Sequence, residues 1–166
     1  MEAYISEYPS PLGLISLIQS GDALTGLFLP GQKAGLPEDA IRMDTPLLRQ
    51  VGLWLDRYFA GEIPGPLPVP LRPEGPPFAR RVGEILLTLP YGESRTYGAI
   101  AAEIGAELGK PRMSAQAVGN AVGRNPIGIL IPCHRVLGHD GRLTGYAGGL
   151  EKKRFLLDLE GISYTE

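Results

Sequence analysis

Residues 96–125 read TYGAIAAEIGAELGKPRMSAQAVGNAVGRN, and this stretch decides the fold of the second half of the chain. Apolar residues recur three and four positions apart on both sides of a short GKPRM connection that contains a glycine and a proline. This spacing predicts two helices joined by a turn, a helix-turn-helix. The second helix is rich in Ala and Gly, so either another helix or a nucleic-acid groove could approach it closely, and the sequence leaves both alternatives open.

Two further helices are predicted on either side of this pair. Residues 77–92 (PFARRVGEILLTLPYG) and residues 151–161 (EKKRFLLDLEG) carry apolar residues at helical spacing, and each run ends at a glycine. Before them, residues 63–77 hold seven prolines in fifteen positions, which excludes a helix and favours extended chain between two units. We therefore predict an N-terminal domain of residues 1–72 and a C-terminal domain of residues 73–166.

The N-terminal domain is predicted to contain a small sheet and one helix. Residues 3–30 alternate apolar and polar side chains around the turn-forming triplets PLG and SGD, which indicates short strands in a hairpin or meander. Thr45 precedes an apolar stripe at helical spacing, in which we expect Trp54 and Tyr58 to belong to the core. The LPVPL run at residues 67–71 is either linker or an edge strand, where proline is tolerated.

Composition limits the class of protein. The chain has 166 residues, of which 43% are hydrophobic and 20% charged, as in globular proteins. No apolar run approaches the roughly 20 residues that cross a bilayer, and the N-terminus lacks a signal-peptide pattern, so we expect a cytoplasmic protein without membrane association. One cysteine cannot form an internal disulfide, and with only His134 and His139 beside it a four-ligand zinc site of Cys and His is excluded.

Charge is distributed unevenly along the chain. The formal net charge is −2, but residues 110–154 contain eight Lys or Arg against two acidic residues. A basic face of this kind is compatible with contacts to the phosphates of a nucleic acid. The alternative is a solvated surface on which basic residues cluster by chance, and charge alone does not decide between the two.

The single cysteine lies in the string PCHRV at residues 132–136. A thiolate is a strong nucleophile, and the neighbouring His134 or Arg135 could lower the pKa of Cys133 and so activate it. On an extended strand, however, adjacent side chains point in opposite directions, so Cys133 and His134 meet only if the backbone turns sharply. The alternative role for Cys133 is that of a small buried apolar residue.

Four motifs together carry a resemblance to a known family. NPIGILIPCHRV is followed by GRLTGYAGGLEKKRFLLDLEG and preceded by YGESRTYGAIAAEIG and SAQAVGNAVGRNP. In order and spacing, residues 77–161 closely resemble the O6-alkylguanine-DNA alkyltransferases, also called methylated-DNA–protein-cysteine methyltransferases, and residues 8–29 resemble their N-terminal β domain more loosely. The resemblance implies an α+β fold, with a small ribonuclease H-like domain of sheet and helix followed by a helical, winged helix-turn-helix domain.

The resemblance implies a single-use reaction at Cys133. The thiolate would take the alkyl group from the O6 atom of guanine in DNA and keep it as a thioether, without a cofactor. His134 would deprotonate Cys133 through a water, Glu160 would orient the imidazole, and Asn125 would brace the turn that presents the cysteine. Activity on O4-alkylthymine is left open.

Contacts with DNA also follow from the resemblance. A monomer would place the second helix of the helix-turn-helix in the minor groove and rotate the damaged base into a pocket. There the carbonyls of Cys133 and Val136 would accept the guanine amino group and the N–H of Ala147 would donate to O6. The residues implied in DNA or substrate binding are Tyr97, Ser114, Ala115, Gln116, Gly119, Arg124, Arg135, Val136, Tyr146, Ala147 and Lys153.

Two positions depart from the family pattern. Gln116 stands where relatives often carry an arginine that fills the gap left by the flipped base. Glutamine can hydrogen-bond the orphaned cytosine but brings no charge, which predicts weaker or more salt-tolerant DNA binding. His139 stands in a loop where some relatives have small polar residues, and the sequence does not determine its effect on the pocket.

Three other functions are compatible with parts of the sequence. A non-catalytic alkyltransferase-like protein would bind the lesion without reacting, but such proteins lack the cysteine that is present here. A thiol hydrolase using Cys133, His134 and Glu160 would turn over repeatedly. A transcription regulator using the helix-turn-helix is disfavoured because no multi-cysteine sensor and no second DNA-binding unit accompany it.

Overall fold

The apolar alternation near the N-terminus forms the sheet of a first unit. In the computed structural model, which describes residues 2–32 and 36–166, this sheet has the strand order β3-β2-β1-β4. Consecutive strands of the first three pair antiparallel and the short fourth runs parallel to the first, so the predicted meander is confirmed. The strands are β1 (Ala3–Ser10), β2 (Gly13–Ser20), β3 (Ala23–Phe28) and β4 (Ile41–Arg42).

One helix, α1 (Pro46–Phe59), covers this sheet. It begins where the sequence predicted, because the hydroxyl of Thr45 accepts a hydrogen bond from the backbone N–H of Leu48 at 3.1 Å and so caps the first turn. Tyr58 is fully buried, whereas Trp54 is half-buried and stacks on the Tyr58 ring at 5.5 Å. The core assignment is therefore confirmed for Tyr58 and only partly met for Trp54.

The outer edge of β3 is covered by two separate segments of the chain. Leu24 donates to the carbonyl of Pro70 at 2.9 Å, so the LPVPL run contributes a short bridge to the edge, as one of the two interpretations predicted. Leu27 donates to the carbonyl of Pro126 at 2.9 Å and accepts from Gly128 at 3.1 Å. These pairings satisfy backbone groups that an open edge strand would expose.

The chain divides into two compact units near the predicted boundary, but not only there. One unit comprises Met1–Glu74 and Pro126–Leu130, and the other comprises Gly75–Asn125 and Ile131–Glu166. The sequence analysis placed residues 126–130 in the second domain, whereas their hydrogen bonds with β3 place them in the first unit. Local patterns along the chain do not encode a long-range pairing of this kind.

The second unit is mainly helical, and its helix-turn-helix is confirmed. The turn between the central two helices is tight, since a Cβ at Gly105 would collide with the carbonyl oxygen of Lys110. Gly109 ends the first of them in a left-handed conformation with φ of 67°, and the hydroxyl of Ser114 caps the second. The helices are α2 (Pro77–Leu86), α3 (Tyr97–Leu108), α4 (Ala115–Gly123) and α5 (Leu150–Glu160).

A two-stranded parallel pair joins these helices, formed by β5 (Arg95–Thr96) and β6 (Val136–Leu137). Strands of two residues are too short to show an alternating pattern, which explains why the sequence analysis did not predict them. Within the described residues, no helix has both the length and the apolar character needed to cross a membrane.

Candidate active site

Cys133 begins a single turn of 3₁₀ helix, Cys133–Arg135, directly before β6. Two hydrogen bonds to the carbonyl of Ile131 stabilise the start of this turn. The N–H of Cys133 and the side-chain amide of Asn125 donate them, both at 2.8 Å. The backbone therefore turns sharply at Cys133. A sharp turn here was the condition for the side chains of Cys133 and His134 to meet. The thiol is nearly enclosed, with 7% of Cys133 exposed.

His134 and Glu160 form a buried pair. The Nε2 atom of His134 lies 2.5 Å from Oε2 of Glu160, and both side chains are inaccessible to solvent. The other carboxylate oxygen, Oε1, accepts hydrogen bonds from the N–H of Gly92 at 3.1 Å and from Nε of Arg135 at 2.7 Å. Because the carboxylate engages Nε2, the second ring nitrogen, Nδ1, is the atom through which His134 can take up a proton.

Arg135 lies in the interior of the unit and is not exposed to DNA. Its guanidinium is buried, donates through Nε to Glu160 and through Nη1 to the carbonyl of Leu89 at 2.8 Å, and lies 5.8 Å from the ring centroid of Tyr91. The sequence analysis counted it among the DNA- and substrate-binding residues. That assignment is corrected, because the guanidinium is buried and two of its nitrogen atoms donate to internal acceptors.

Lys153 is likewise internal. Its side chain is fully buried, and Nζ donates to the carbonyl of Val136 at 2.7 Å, with those of Thr144 and Gly145 at 3.3 and 3.4 Å. Burial lowers the pKa of Lys153 to about 8, and the Cys133 thiolate opposes that shift. An ammonium held by three carbonyls inside the protein is not available to a DNA phosphate, so the assignment is corrected for the DNA backbone, while a contact with the flipped base stays a prediction.

The environment keeps both reacting groups neutral at rest. Burial raises the pKa of the Cys133 thiol, while hydrogen bonds with Asn125 and Tyr146 and the charge of Lys153 act in the opposite direction. Burial lowers the pKa of His134, and the contact with Glu160 opposes that shift. Both shifts favour the uncharged forms, a thiol and a neutral imidazole, and this is the starting state that general-base catalysis needs.

A cleft of about 540 Å³ opens along the exposed face of α4. Of the predicted DNA- and substrate-binding residues, Tyr97, Ala115, Gln116 and Gly119 line it. Among the described residues that form its wall, none is a lysine or an arginine. The lining is completed by residues that the sequence analysis did not assign to binding, namely Thr96, Gly98, Asn120, Gly138, His139, Thr144 and Gly145.

The remaining predicted residues lie around the cysteine and the ends of α4. Ser114 caps that helix by accepting from Ala117, and Arg124 is exposed at the opposite end. Tyr146 is half-buried and hydrogen-bonded with Cys133, and the exposed Ala147 follows it in the same loop. Their roles toward DNA stay predictions.

The internal ion network could have been found from the sequence of α5. Lys153, Leu156, Leu157 and Glu160 are the buried residues of this helix, at the spacing of one helical stripe. Two charged residues on an apolar stripe indicate buried partners. Within the described part of the chain, no three His, Cys, Asp or Glu side chains are grouped so that they could hold a metal ion.

Two family models match nearly the whole chain. The model of the 6-O-methylguanine DNA methyltransferase DNA binding domain matches residues 77–162, and that of the ribonuclease-like domain matches residues 3–73. The predicted fold class, including the likeness of the N-terminal part to a ribonuclease fold, is confirmed by these matches.

Relatives of known name and structure agree with them. The methylated-DNA–protein-cysteine methyltransferase of Haemophilus influenzae is 43% identical over 98% of this chain and 89% of its own length, and that of Methanosarcina acetivorans is 44% identical over 95% and 98%. The crystal structure of Mycobacterium tuberculosis OGT in complex with DNA superposes with a TM-score of 0.80 at 40% identity, covering 96% of this chain and 92% of that one. The resemblance noted in the sequence is thereby confirmed, and the chain belongs to the methylated-DNA–protein-cysteine methyltransferase family.

Proposed function

We propose that this protein repairs DNA by transferring the alkyl group of O6-alkylguanine to Cys133, and that each molecule acts once. The observation that carries the proposal is the buried His134–Glu160 pair directly after the only cysteine of the chain, in the same unit as a helix-turn-helix. Relatives that are named for transfer from methylated DNA to a protein cysteine support it.

The reaction begins with the proton of the thiol. Glu160 accepts the N–H of Nε2, which fixes the tautomer of His134 and leaves Nδ1 as the base. Through a bridging water, His134 takes the proton of Cys133, and Glu160 stabilises the imidazolium that forms. The protein therefore generates the thiolate only when it is used, which suits a thiol whose burial raises its pKa.

The thiolate then attacks the alkyl carbon in line with its bond to O6. The S–C bond forms as the C–O bond breaks, the electron pair of that bond stays on guanine, and guanine takes up a proton. The net change turns one thiol and one O6-alkylguanine into one thioether and one guanine. Because no base or water restores a thiol from a thioether, the protein is consumed stoichiometrically.

The damaged nucleotide reaches Cys133 from the cleft beside α4. A volume of about 540 Å³ lies within the usual range of small-ligand sites, roughly 300–1,000 Å³. In this proposal α4 enters the minor groove as part of a monomer, and the small residues Ala115 and Gly119 permit close approach without reading sequence. Tyr97 guides the flipped nucleotide, and the N–H of Ala147 donates to O6 of the leaving guanine.

The carbonyl acceptors proposed for the guanine amino group already carry one hydrogen bond each. Cys133 accepts from the N–H of Val136, and Val136 accepts from Lys153 at 2.7 Å. A carbonyl oxygen has two lone pairs, so each can accept a second hydrogen bond from the base. The bonds within the protein hold both oxygens in place before the substrate arrives.

The function is tested by weighing the intact protein after mixing it with duplex DNA that contains O6-methylguanine, with an undamaged duplex and the Cys133→Ser variant as controls. We expect the mass of one CH₂ group to be added, never more than once per molecule, and nothing in either control. Lesion binding without a mass change would support the non-catalytic alternative, and repeated turnover without modification would support a hydrolase. A duplex with O4-methylthymine, run in parallel, defines the substrate range.

A further inference from the structure

The strongest feature of this site that the reaction above does not use is Arg135. It follows His134 in the 3₁₀ turn, is buried, and carries a permanent charge. A buried guanidinium is stable only when its donors are satisfied and its charge is paired. Here Nε and Nη1 each donate to an internal acceptor, and the charge is paired with the same carboxylate that holds the catalytic imidazole.

We infer that Arg135 is a positioning residue of the alkyl transfer, which holds the Glu160 carboxylate aimed at His134. The inference rests on the proposed function of Cys133. Glu160 uses its two oxygens separately: Oε2 faces Nε2 of His134 at 2.5 Å, and Oε1 accepts from Arg135 at 2.7 Å. The carboxylate is therefore fixed from both sides, and it cannot rotate without losing one partner.

The guanidinium is itself anchored at a second point. Its Nη1 donates to the carbonyl of Leu89 at 2.8 Å, and its face lies 5.8 Å from the centroid of the Tyr91 ring. The same segment supplies the N–H of Gly92 to Oε1 of Glu160 at 3.1 Å. The segment after α2, the 3₁₀ turn and the end of α5 are thus joined at one carboxylate, so its position is determined by three parts of the unit.

The charges around His134 give this arrangement a measurable signature. Glu160 raises the pKa of His134, whereas Arg135 and Lys153 lower it, on top of the larger lowering by burial. The groups that act on the pKa of Cys133 are Asn125, Tyr146 and Lys153. Removing Arg135 should therefore raise the pKa of His134, and removing the charge of Glu160 should lower it. Neither Arg135 nor Glu160 is among the groups that shift the pKa of Cys133.

The experiment measures the rate of Cys133 alkylation by iodoacetamide between pH 5 and 9, by intact mass, without DNA. The variants are Arg135→Met, Arg135→Lys and Glu160→Gln, and Arg154→Met is the control because Arg154 is an arginine of α5 whose ion pair with Glu166 is partly exposed. The rate rises with pH as His134 becomes a neutral base. We expect the midpoint of that rise to move to higher pH in R135M and to lower pH in E160Q, and to stay unchanged in R154M.

The rate itself should also fall. In R135M we expect a loss of roughly tenfold to a hundredfold at the optimum, by analogy with residues that orient metal-binding histidines through a hydrogen bond. R135K keeps the charge but cannot reproduce both anchored donors, so we expect its midpoint near that of the wild type with a reduced rate. This variant also keeps the inference testable if R135M fails to fold.

The outcomes separate the inference from the proposed function. A wild-type rate in both R135M and R135K, or a midpoint that moves in the same direction in R135M and E160Q, would overturn the inference. If the opposite shifts are found but the wild-type protein gains no mass from O6-methylguanine DNA, the role of Arg135 stands for thiol activation and the repair function fails. If DNA repair proceeds but no opposite shifts occur, the function stands and Arg135 is only structural.

Discussion

The interior around Cys133 and the cleft along α4 belong to the same unit and are built in opposite ways. The interior holds His134, Arg135, Lys153 and Glu160, each at most 7% exposed. The wall of the cleft, among the residues that the structure describes, has neither lysine nor arginine. Charged side chains are therefore concentrated around the thiol rather than in the cleft, while Arg124, a predicted DNA contact, lies exposed at the end of α4.

Charge and DNA affinity therefore need not coincide in one unit. Electrostatic effects are strongest in a dry, preorganised environment, so the interior charges act on the thiol and the imidazole. The described wall of the cleft lacks lysine and arginine, so the contacts it makes should add little to the salt dependence of DNA binding. Changes in the interior should therefore alter the rate of transfer, and changes in the cleft should alter the affinity for DNA.

The largest effect is expected from His134→Asn. Without the base, the transfer rate should fall about a hundredfold to ten-thousandfold, because general-base catalysis and its supporting carboxylate are lost together. Single-turnover transfer from an O6-methylguanine duplex measures the rate, and titration of a labelled duplex measures affinity. A comparable loss of DNA affinity would show that the interior also contributes to DNA binding, contrary to the separation of rate and affinity between the two regions.

A smaller effect is expected from Lys153, whose pKa burial lowers to about 8 from its usual 10.5. The folded state thus releases this proton at lower pH than the unfolded state does, and stability gains as pH rises from about 8 to about 10.5. The free energy of unfolding of the wild type relative to Lys153→Met should increase by about 3 kcal/mol across that range. Urea unfolding of both proteins at several pH values measures the difference, and a constant difference would contradict a buried ammonium.

Gln116→Arg adds a cation to the cleft and should raise the affinity for DNA at low salt. If the arginine forms one phosphate contact, the slope of log K against log salt should steepen by about 0.9. Titrations of a labelled duplex at four salt concentrations test this. Arg49→Lys, a change at an exposed arginine of the first unit, is the control and should leave the slope unchanged. No gain in affinity or repair rate at any salt concentration would count against the role proposed for Gln116.

The smallest effect is expected from Gly119→Ala. A Cβ there would lie 3.8 Å from the ring of Tyr97, an ordinary contact, and alanine favours a helix over glycine by about 0.5–1 kcal/mol. Stability should therefore rise slightly while DNA affinity falls, because the added methyl group occupies the wall of the cleft. Thermal unfolding and duplex titration together test this, and a rise in both quantities would show that α4 does not approach the duplex at this position.

Several features could be predicted because their causes are local. The cap at Thr45, the turn glycine Gly109 and the helical stripes of α3 and α4 depend on residues a few positions apart, and the structure contains all of them. The pairing of residues 126–130 with β3 could not be predicted, since it joins segments about a hundred residues apart. Basic residues counted as one face were also separated by folding, because Arg135 and Lys153 turned inward.

The amino-acid sequence was enough to predict the helix-turn-helix, the single thiol, its PCHRV surroundings and the family to which they belong. The charges that act on the thiol could be identified only after folding, because burial and pairing depend on contacts between distant segments. Glu160 meets His134, Arg135 and Gly92 only when α5, the 3₁₀ turn and the segment after α2 pack together. The sequence was enough to identify Cys133 as the nucleophile, whereas the packing of charged groups in a dry interior decides how Cys133 can be activated.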